Sequence, residues 1–214
     1  MSPRPSRRAT SPDTSRVRDV YDRQAEHYDA VIAVAERLLF HGGREWACRQ
    51  VSGRVLEVGI GTGRNLPLYP PDAELTGIEL SPAMLDRARV RAARLGRPAD
   101  LRLGDAQQLA FPDGSFDSVI ATLTLCSIPD DRTAVAEMAR VLRRGGRLVL
   151  LDHVASPLPG VRKVQRLLEP AFLRLAADHL LREPEASVQD AGLQIEHLDR
   201  SKLGIVTRLT CTKP

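Results

Sequence analysis

The sequence predicts an α/β domain built on a doubly wound, mostly parallel sheet, and three observations carry that expectation. From Arg54 onward, short β-branched or aliphatic runs alternate with helical patterns, the texture of βαβ units. Those units follow one another at short, regular spacing, and right-handed crossovers then make a doubly wound sheet the economical topology. The length, 214 residues with 43% hydrophobic and 27% charged side chains, suits one domain around one well-filled core.

Taken in order, residues 1–16 read as a flexible basic arm, broken by Pro3, Pro5 and Pro12. A domain over 17–214 follows. Its first part, 17–51, is a helical lid in which Ala30, Val31, Val34, Leu38 and Leu39 recur at helical spacing. Strands are expected at about 54–58, 74–79, 100–104, 116–121 and 147–152, with helices at about 63–69, 82–96 and 131–143. Residues 157–186 interrupt the sheet pattern as a helical cap insertion broken near Pro170. Two last strands, at about 193–199 and 204–212, lie close enough for a terminal hairpin.

The charge balance excludes some functions. Of a net +4, the five arginines and one acid of residues 1–18 account for all, and the remaining residues carry 26 basic and 26 acidic side chains. A neutral body is a poor nucleic-acid groove, so no nucleic-acid partner is expected. Cys48, Cys126 and Cys211 form no CxxC pair and suggest reduced thiols rather than a disulfide framework or zinc site. With no apolar leader and no run of about 18 apolar residues, a cytoplasmic location is expected.

The most informative run is VLEVGIGTGRN (55–65), a hydrophobic strand ending in a loop with glycine at every second position. Glycine turns at positive φ and has no Cβ to hold a ligand away, so a nucleotide-like group can lie against the main chain at Gly59, Gly61 and Gly63. Glu79, twenty residues after Gly59 and at the end of the next strand, is placed to accept hydrogen bonds from both ribose hydroxyls. A dinucleotide fingerprint requires Gly or Ala where this chain has Arg64, and no phosphate-binding lysine follows.

Five motifs stand in order: YDRQAEHYD (21–29), VLEVGIGTGRN (55–65), GIELSPAML (77–85), GDAQQLAFPDGSFDSV (104–119) and RVLRRGGRLVLLDHV (140–154). Through them the chain from Tyr21 to the C-terminus resembles a class I S-adenosylmethionine-dependent methyltransferase of the group often labelled type 11. Arg144 stands where that pattern usually has proline. The resemblance implies a Rossmann-like seven-stranded sheet with an antiparallel last strand, S-adenosyl-L-methionine as cofactor, S-adenosyl-L-homocysteine as product, and no metal. It also implies site residues. Gly59, Gly61 and Gly63 would line the methionine and ribose part, with Glu57 orienting the loop or the cofactor's ammonium and Asn65 also binding the cofactor. Glu79 would hold the ribose, Leu80 and Met84 the adenine face, and Asp105 and Ala106 the adenine edge. Thr122 and Leu123 would sit beside the methionine moiety, and Tyr21 and Tyr28 would close the lid.

The acceptor is expected to be a small, largely apolar molecule. A proton-accepting base, where one is needed, is sought among His153 at the end of the fifth strand, His179 in the insertion and His27 in the lid. Cys126 reads more simply as a small buried side chain. The stretches TLTLCSIPD (122–130), LLDHVA (150–155) and LEPAFLRLAADHLLRE (168–183) are similar to methyltransferase-like proteins that act on alkyl thiols, which makes a thiol sulfur the first choice. Phosphatidylethanolamine N-methyltransferases and quinone C-methyltransferases share the core motifs, so N-, O- or C-methylation stands as the alternative, as does a non-catalytic cofactor-binding protein. The insertion's leucines, Phe172, Arg162, Lys163, Arg166 and Arg174 permit two readings. One is a helix packed to close the cofactor site, with a solvated basic face. The other is a lid open to an amphiphile, with weak peripheral membrane contact.

Overall fold

Five aliphatic runs form the parallel centre of a seven-stranded sheet in the computed structural model, which describes residues 12–214. They are β1 (Arg54–Val58), β2 (Glu74–Glu79), β3 (Ala99–Leu103), β4 (Phe116–Thr122) and β5 (Leu142–His153). The last two strands, β6 (Gln194–Ser201) and β7 (Val206–Thr212), form the expected hairpin, and β7 slots antiparallel between β5 and β6. The sheet order is β3-β2-β1-β4-β5-β7-β6.

Both faces of the central strands are covered, so their residues are apolar without polar alternation. The two-residue side-chain period then divides them between two cores. Leu56, Val119, Leu148 and Leu150 pack on one face with Val135 and Met138 of α5 (Asp131–Val141) and Val188 of α7 (Pro184–Asp190). Val55, Ile120, Val149 and Leu151 pack on the other with Leu85 and Ala88 of α4 (Pro82–Leu95) and with Ala47 and Cys48 of α3 (Gly43–Cys48). Local signals set the helix ends. Ser81 accepts a hydrogen bond from the Met84 amide at 3.1 Å with Pro82 in the first turn, and Gly96 ends α4 at φ +60°.

The structure corrects several expectations. Helix α1 (Pro12–Gln24) begins inside the segment read as an arm: Thr14 is buried, and its hydroxyl accepts a hydrogen bond from Gln107 at 3.1 Å. Residues 1–11 of that arm lie outside the described residues. In place of a helix over 63–69 there are turns and a single 3-10 turn, Leu66–Leu68. Pro70 and Pro71 lack amide donors and Tyr69 is extended at ψ 148°, so no helix can propagate. Helix α6 (Pro159–Ala176) runs through Pro170 without a break, because that residue lies on the exposed side. Strand β5 starts at Leu142, five residues early, by pairing Leu142 with Phe116 ahead of a register shift.

The insertion packs differently from the closed arrangement expected. No residue of α6 is buried, and none of α2 (Tyr28–Leu39) is either. Among the described residues no helix is long and apolar enough to cross a membrane.

Gly63 shows how tightly the loop after β1 meets α4. Its φ is +79°, and a Cβ there would stand 2.7 Å from Leu66 Cδ1 and 3.2 Å from the Ala88 backbone. Gly63→Ala is expected to cost about 1–3 kcal/mol. Urea unfolding should show a lower midpoint at unchanged slope.

Candidate active site

The strand order reverses between β1 and β4, and the crevice outside the carboxyl ends of strands at such a point is where open α/β sheets take ligands. A partly open cavity lies there. Its floor is the loop after β1, pinned by hydrogen bonds from the Gly59 and Ile60 amides to the Ile78 carbonyl at 2.9 and 3.0 Å. Gly61 (φ +58°) turns its bare backbone to the cavity, with no atom within 4 Å of where its Cβ would stand, while at Gly59 (φ +69°) a Cβ would run into the Thr124 side chain.

Glu79 closes one wall. Its carboxylate accepts hydrogen bonds from the Gly61 amide through Oε2 and the Ser81 amide through Oε1, each at 2.9 Å. Burial raises its pKa, and those amides pull the other way. Ile78, Leu80 and Met84 supply an apolar wall beside it, while Asp105, Ala106 and Gln107 form a polar edge. Asp105 is held by the Gln107 amide at 2.9 Å. Leu123 faces the cavity from a left-handed turn (φ +55°) directly after β4. That strained turn is secured from below by Asp152, whose Oδ2 accepts from the amides of Thr124 at 3.0 Å and Leu125 at 2.8 Å.

The roof comes from the lid. Tyr21 and Tyr28 line the cavity with their rings edge to face, 6.2 Å apart. The lid is held down by charge: Asp29 pairs with Arg91 and accepts from Thr62 at 2.6 Å, while Glu36 accepts from Arg44 and Arg64, each at 2.6 Å.

Ten of the fourteen residues expected around a cofactor therefore line the cavity. Glu57, Gly63, Asn65 and Thr122 do not; all four lie behind it. Asn65 donates to Glu57 at 2.7 Å and to Thr122 at 2.9 Å, Tyr69 donates to Glu57 at 2.7 Å, and Arg44 donates to Asn65 at 3.0 Å. Burial pushes the Glu57 carboxyl up to about 7 despite Tyr69, Arg44 and Asn65. Their place is to brace the loop and the end of β4. Residues the motifs did not single out also line the cavity: Val17, Arg18, Ser81, Thr124, Ser127 and Ile128. Ser81, Thr124, Ser127 and Ile128 stand within the quoted stretches, so adjacency to Glu79 and Leu123 was the available signal. For Val17 and Arg18 there was none, since they fall just ahead of the first motif.

The base candidates separate clearly. His153 stands at the end of β5 with Nε2 at 3.1 Å from both oxygens of Asp178, a residue just past α6. It sits under the 123–128 turn rather than in the cavity wall, but Asp178 and Cys126 also act on the hydroxyl of Tyr21, which does line the cavity. His179 faces Glu169 at 3.9 Å, and its amide donates to the Cys126 carbonyl at 2.8 Å. His27 is exposed at the start of α2. None of 157–186 lines the cavity, so the closing role expected of the insertion falls to α1 and the 123–129 turn. Cys126 is buried and its thiol is pushed well up by that burial. Cys126, Asp152 and His153 bring potential metal-ligating atoms within 4.8 Å of one another, but Asp152 is engaged by backbone amides and His153 Nε2 by Asp178.

These features fit the cofactor expected from the sequence. The exposed glycine backbone admits close approach, Glu79 retains lone pairs for hydroxyl donors, and Leu80 and Met84 offer a face for a flat base.

Comparison with known proteins agrees. The family described as "Methyltransferase domain" matches residues 56–150. A phosphatidylethanolamine N-methyltransferase of Cereibacter sphaeroides is 47% identical over 116 residues, 52% of this chain and 57% of that protein, so the match spans little more than half of its length. A human thiol S-methyltransferase is 32% identical over 181 residues, 80% of this chain and 73% of its own. In fold, the chain is similar to the geranyl diphosphate C-methyltransferase of Streptomyces coelicolor, with a TM-score of 0.77 at 12% identity over 96% of this chain and 99% of the other.

The His153–Asp178 pair makes the structure pH-sensitive. Burial alone would lower the His153 pKa, but Asp178, with Asp152 behind it, outweighs burial and raises it from 6.5 to about 8. A histidine raised on folding contributes stability that is fully present below its unfolded pKa and is lost as pH rises through the folded value. Thermal unfolding followed from pH 6 to 9, about the window these values define, should show a melting temperature that falls through about pH 8. His153→Gln should flatten that decline.

Proposed function

This chain belongs to the S-adenosylmethionine-dependent methyltransferases, and on that premise we propose that it transfers a methyl group to a small, largely apolar acceptor, with a thiol sulfur as the first choice of atom. The observation that carries this reading is the apolar part of the cavity lining, Tyr21, Tyr28, Leu123 and Ile128, to which Thr124 and Ser127 add hydroxyls and Arg18 a cation. Such a wall favours a neutral, apolar nucleophile over a charged one. The thiol S-methyltransferase that aligns with 80% of the chain supports the choice of atom.

When bound, S-adenosyl-L-methionine supplies a sulfonium methyl already activated for in-line displacement. The chain's own contribution is placement. Gly59 and Gly61 let the ligand lie against the backbone, Glu79 accepts from the ribose hydroxyls, Leu80 and Met84 cover the adenine, and Asp105 and Ala106 meet its edge. Glu57, Asn65 and Thr122 hold these parts in register from behind. Tyr21 and Tyr28 exclude water and set the acceptor's approach beside Leu123. A thiol acceptor loses its S–H proton as the new S–C bond forms. That proton leaves to solvent, since His153 sits under the 123–128 turn and does not line the cavity. His179 takes no part in this scheme.

A second reading, N-methylation of phosphatidylethanolamine, has the 47% identity over residues shared with the Cereibacter sphaeroides enzyme in its favour.

Two measurements test these assignments. Calorimetry should show Glu79→Ala weakening S-adenosyl-L-homocysteine binding by about 1.5–3 kcal/mol, the value of a hydrogen bond to a charged group. Unchanged affinity would remove Glu79 from the ribose. A mass-spectrometric screen with labelled cofactor, run on thiols, catechols, quinols, amines and phosphatidylethanolamine in parallel, should yield methylated thiols. Products from amines or phenols alone would overturn the choice of sulfur.

A further inference from the structure

Helix α2 is amphipathic in the reverse sense for a helix on a domain surface. It turns Asp29 and Glu36 inward to Arg91, Arg44 and Arg64, and it leaves Val31 70%, Val34 62% and Leu38 63% exposed. A surface helix ordinarily buries its apolar stripe.

Helix α6 repeats the pattern. Val164, Leu167, Leu168, Ala171 and Leu175 fall at i, i+3, i+4, i+7 and i+11, one continuous stripe, and all are exposed, Leu167 by 80%. The inward side instead carries Gln165, which donates to the Val154 carbonyl at 2.8 Å and the Leu180 carbonyl at 3.0 Å. Lys163, Arg166 and Arg174 stand on the exposed side of the same helix, and their side chains pair with no acid among the described residues.

Helix α1 links the two helices. Helix α1 grips the end of α6 through Arg16 to the Leu173 carbonyl at 3.0 Å and Gln24 to the Leu175 carbonyl at 3.4 Å, and it leads directly into α2. Its own Val17, Arg18 and Tyr21 line the cavity, as does Tyr28 at the start of α2.

We propose that α2 and α6 form a docking face for an anionic phospholipid surface, with the exposed aliphatic stripes entering the headgroup–acyl boundary and Lys163, Arg166 and Arg174 meeting lipid phosphates. Unpaired cations beside an exposed apolar stripe are the composition of an interfacial helix, and a patch of this kind on a domain surface marks an interaction site. Docked this way, the rim holding Tyr21 and Tyr28 lies beside the bilayer, where an apolar acceptor partitions. The inference is independent of which atom accepts the methyl group.

The test is flotation of the full chain with phosphatidylcholine vesicles containing phosphatidylglycerol, against pure phosphatidylcholine, at low and high salt. Binding is expected to the anionic vesicles and to weaken with salt. It should fall by about tenfold in Leu167→Glu/Leu175→Glu and in Lys163→Glu/Arg166→Glu. Circular dichroism and S-adenosyl-L-homocysteine affinity should be unchanged in both variants, since these side chains are exposed and lie outside the cavity. Absence of flotation at low salt, or equal flotation of the variants and the parent, would overturn the proposal, the latter by moving the binding to residues 1–11. A dimer in light scattering that Leu167→Glu dissociates would also overturn it, by assigning the stripe to a second copy of the chain.

Discussion

Three carboxylates near the carboxyl ends of parallel strands set the form of the site: Glu57 on β1, Glu79 on β2 and Asp152 on β5, across β4 from β1, are all nearly inaccessible to solvent. A buried carboxylate is tolerated when its oxygens are hydrogen-bonded, and each of these meets that demand by gripping a loop. Glu79 holds the glycine turn and the start of α4. Asp152 holds the strained turn at Leu123, and Glu57 ties the loop after β1 to Asn65 and Tyr69. The cavity is the space these three grips leave open. Its walls are therefore fixed before any ligand arrives, which is what a reaction dependent on placement requires.

Around this rigid centre the outer parts are held differently. The lid depends on ion pairs at Asp29 and Glu36, and the segment after α6 depends on His153–Asp178 and on the pairing of Arg182 with Asp131 at 2.6 Å. Polar attachment leaves the apolar faces of α2 and α6 unburied. The same attachment gives the rim its exposed leucines and valines.

Much of the centre was legible in the sequence. Strands β1 and β2 fall at the residues their aliphatic runs mark, because strands buried on both faces need unbroken apolar stretches. The alternating glycines and Glu79 converge as the motif spacing implied. What escaped depended on tertiary partners. Prolines 67, 70 and 71 prevailed over the helical pattern after Gly63, and Pro170 was tolerated because solvent faces it. Periodicity identified the apolar stripe of α2 but not the direction in which it points, since the deciding arginines lie at 44, 64 and 91. Likewise, His153 was visible as a candidate, but its partner Asp178 stands 25 residues away, where no local pattern links the two.

The claim that ties these parts together is that the cavity is preformed by its buried carboxylates. The direct measurement is a crystal structure with S-adenosyl-L-homocysteine bound. The account predicts the ribose on Glu79, the base between Leu80 and Asp105, and the 59–63 and 123–126 turns displaced by less than about 1 Å, as in pre-organised complexes. A ligand seated elsewhere, or turns that rebuild around it with Asp152 or Glu79 released from their amides, would contradict it.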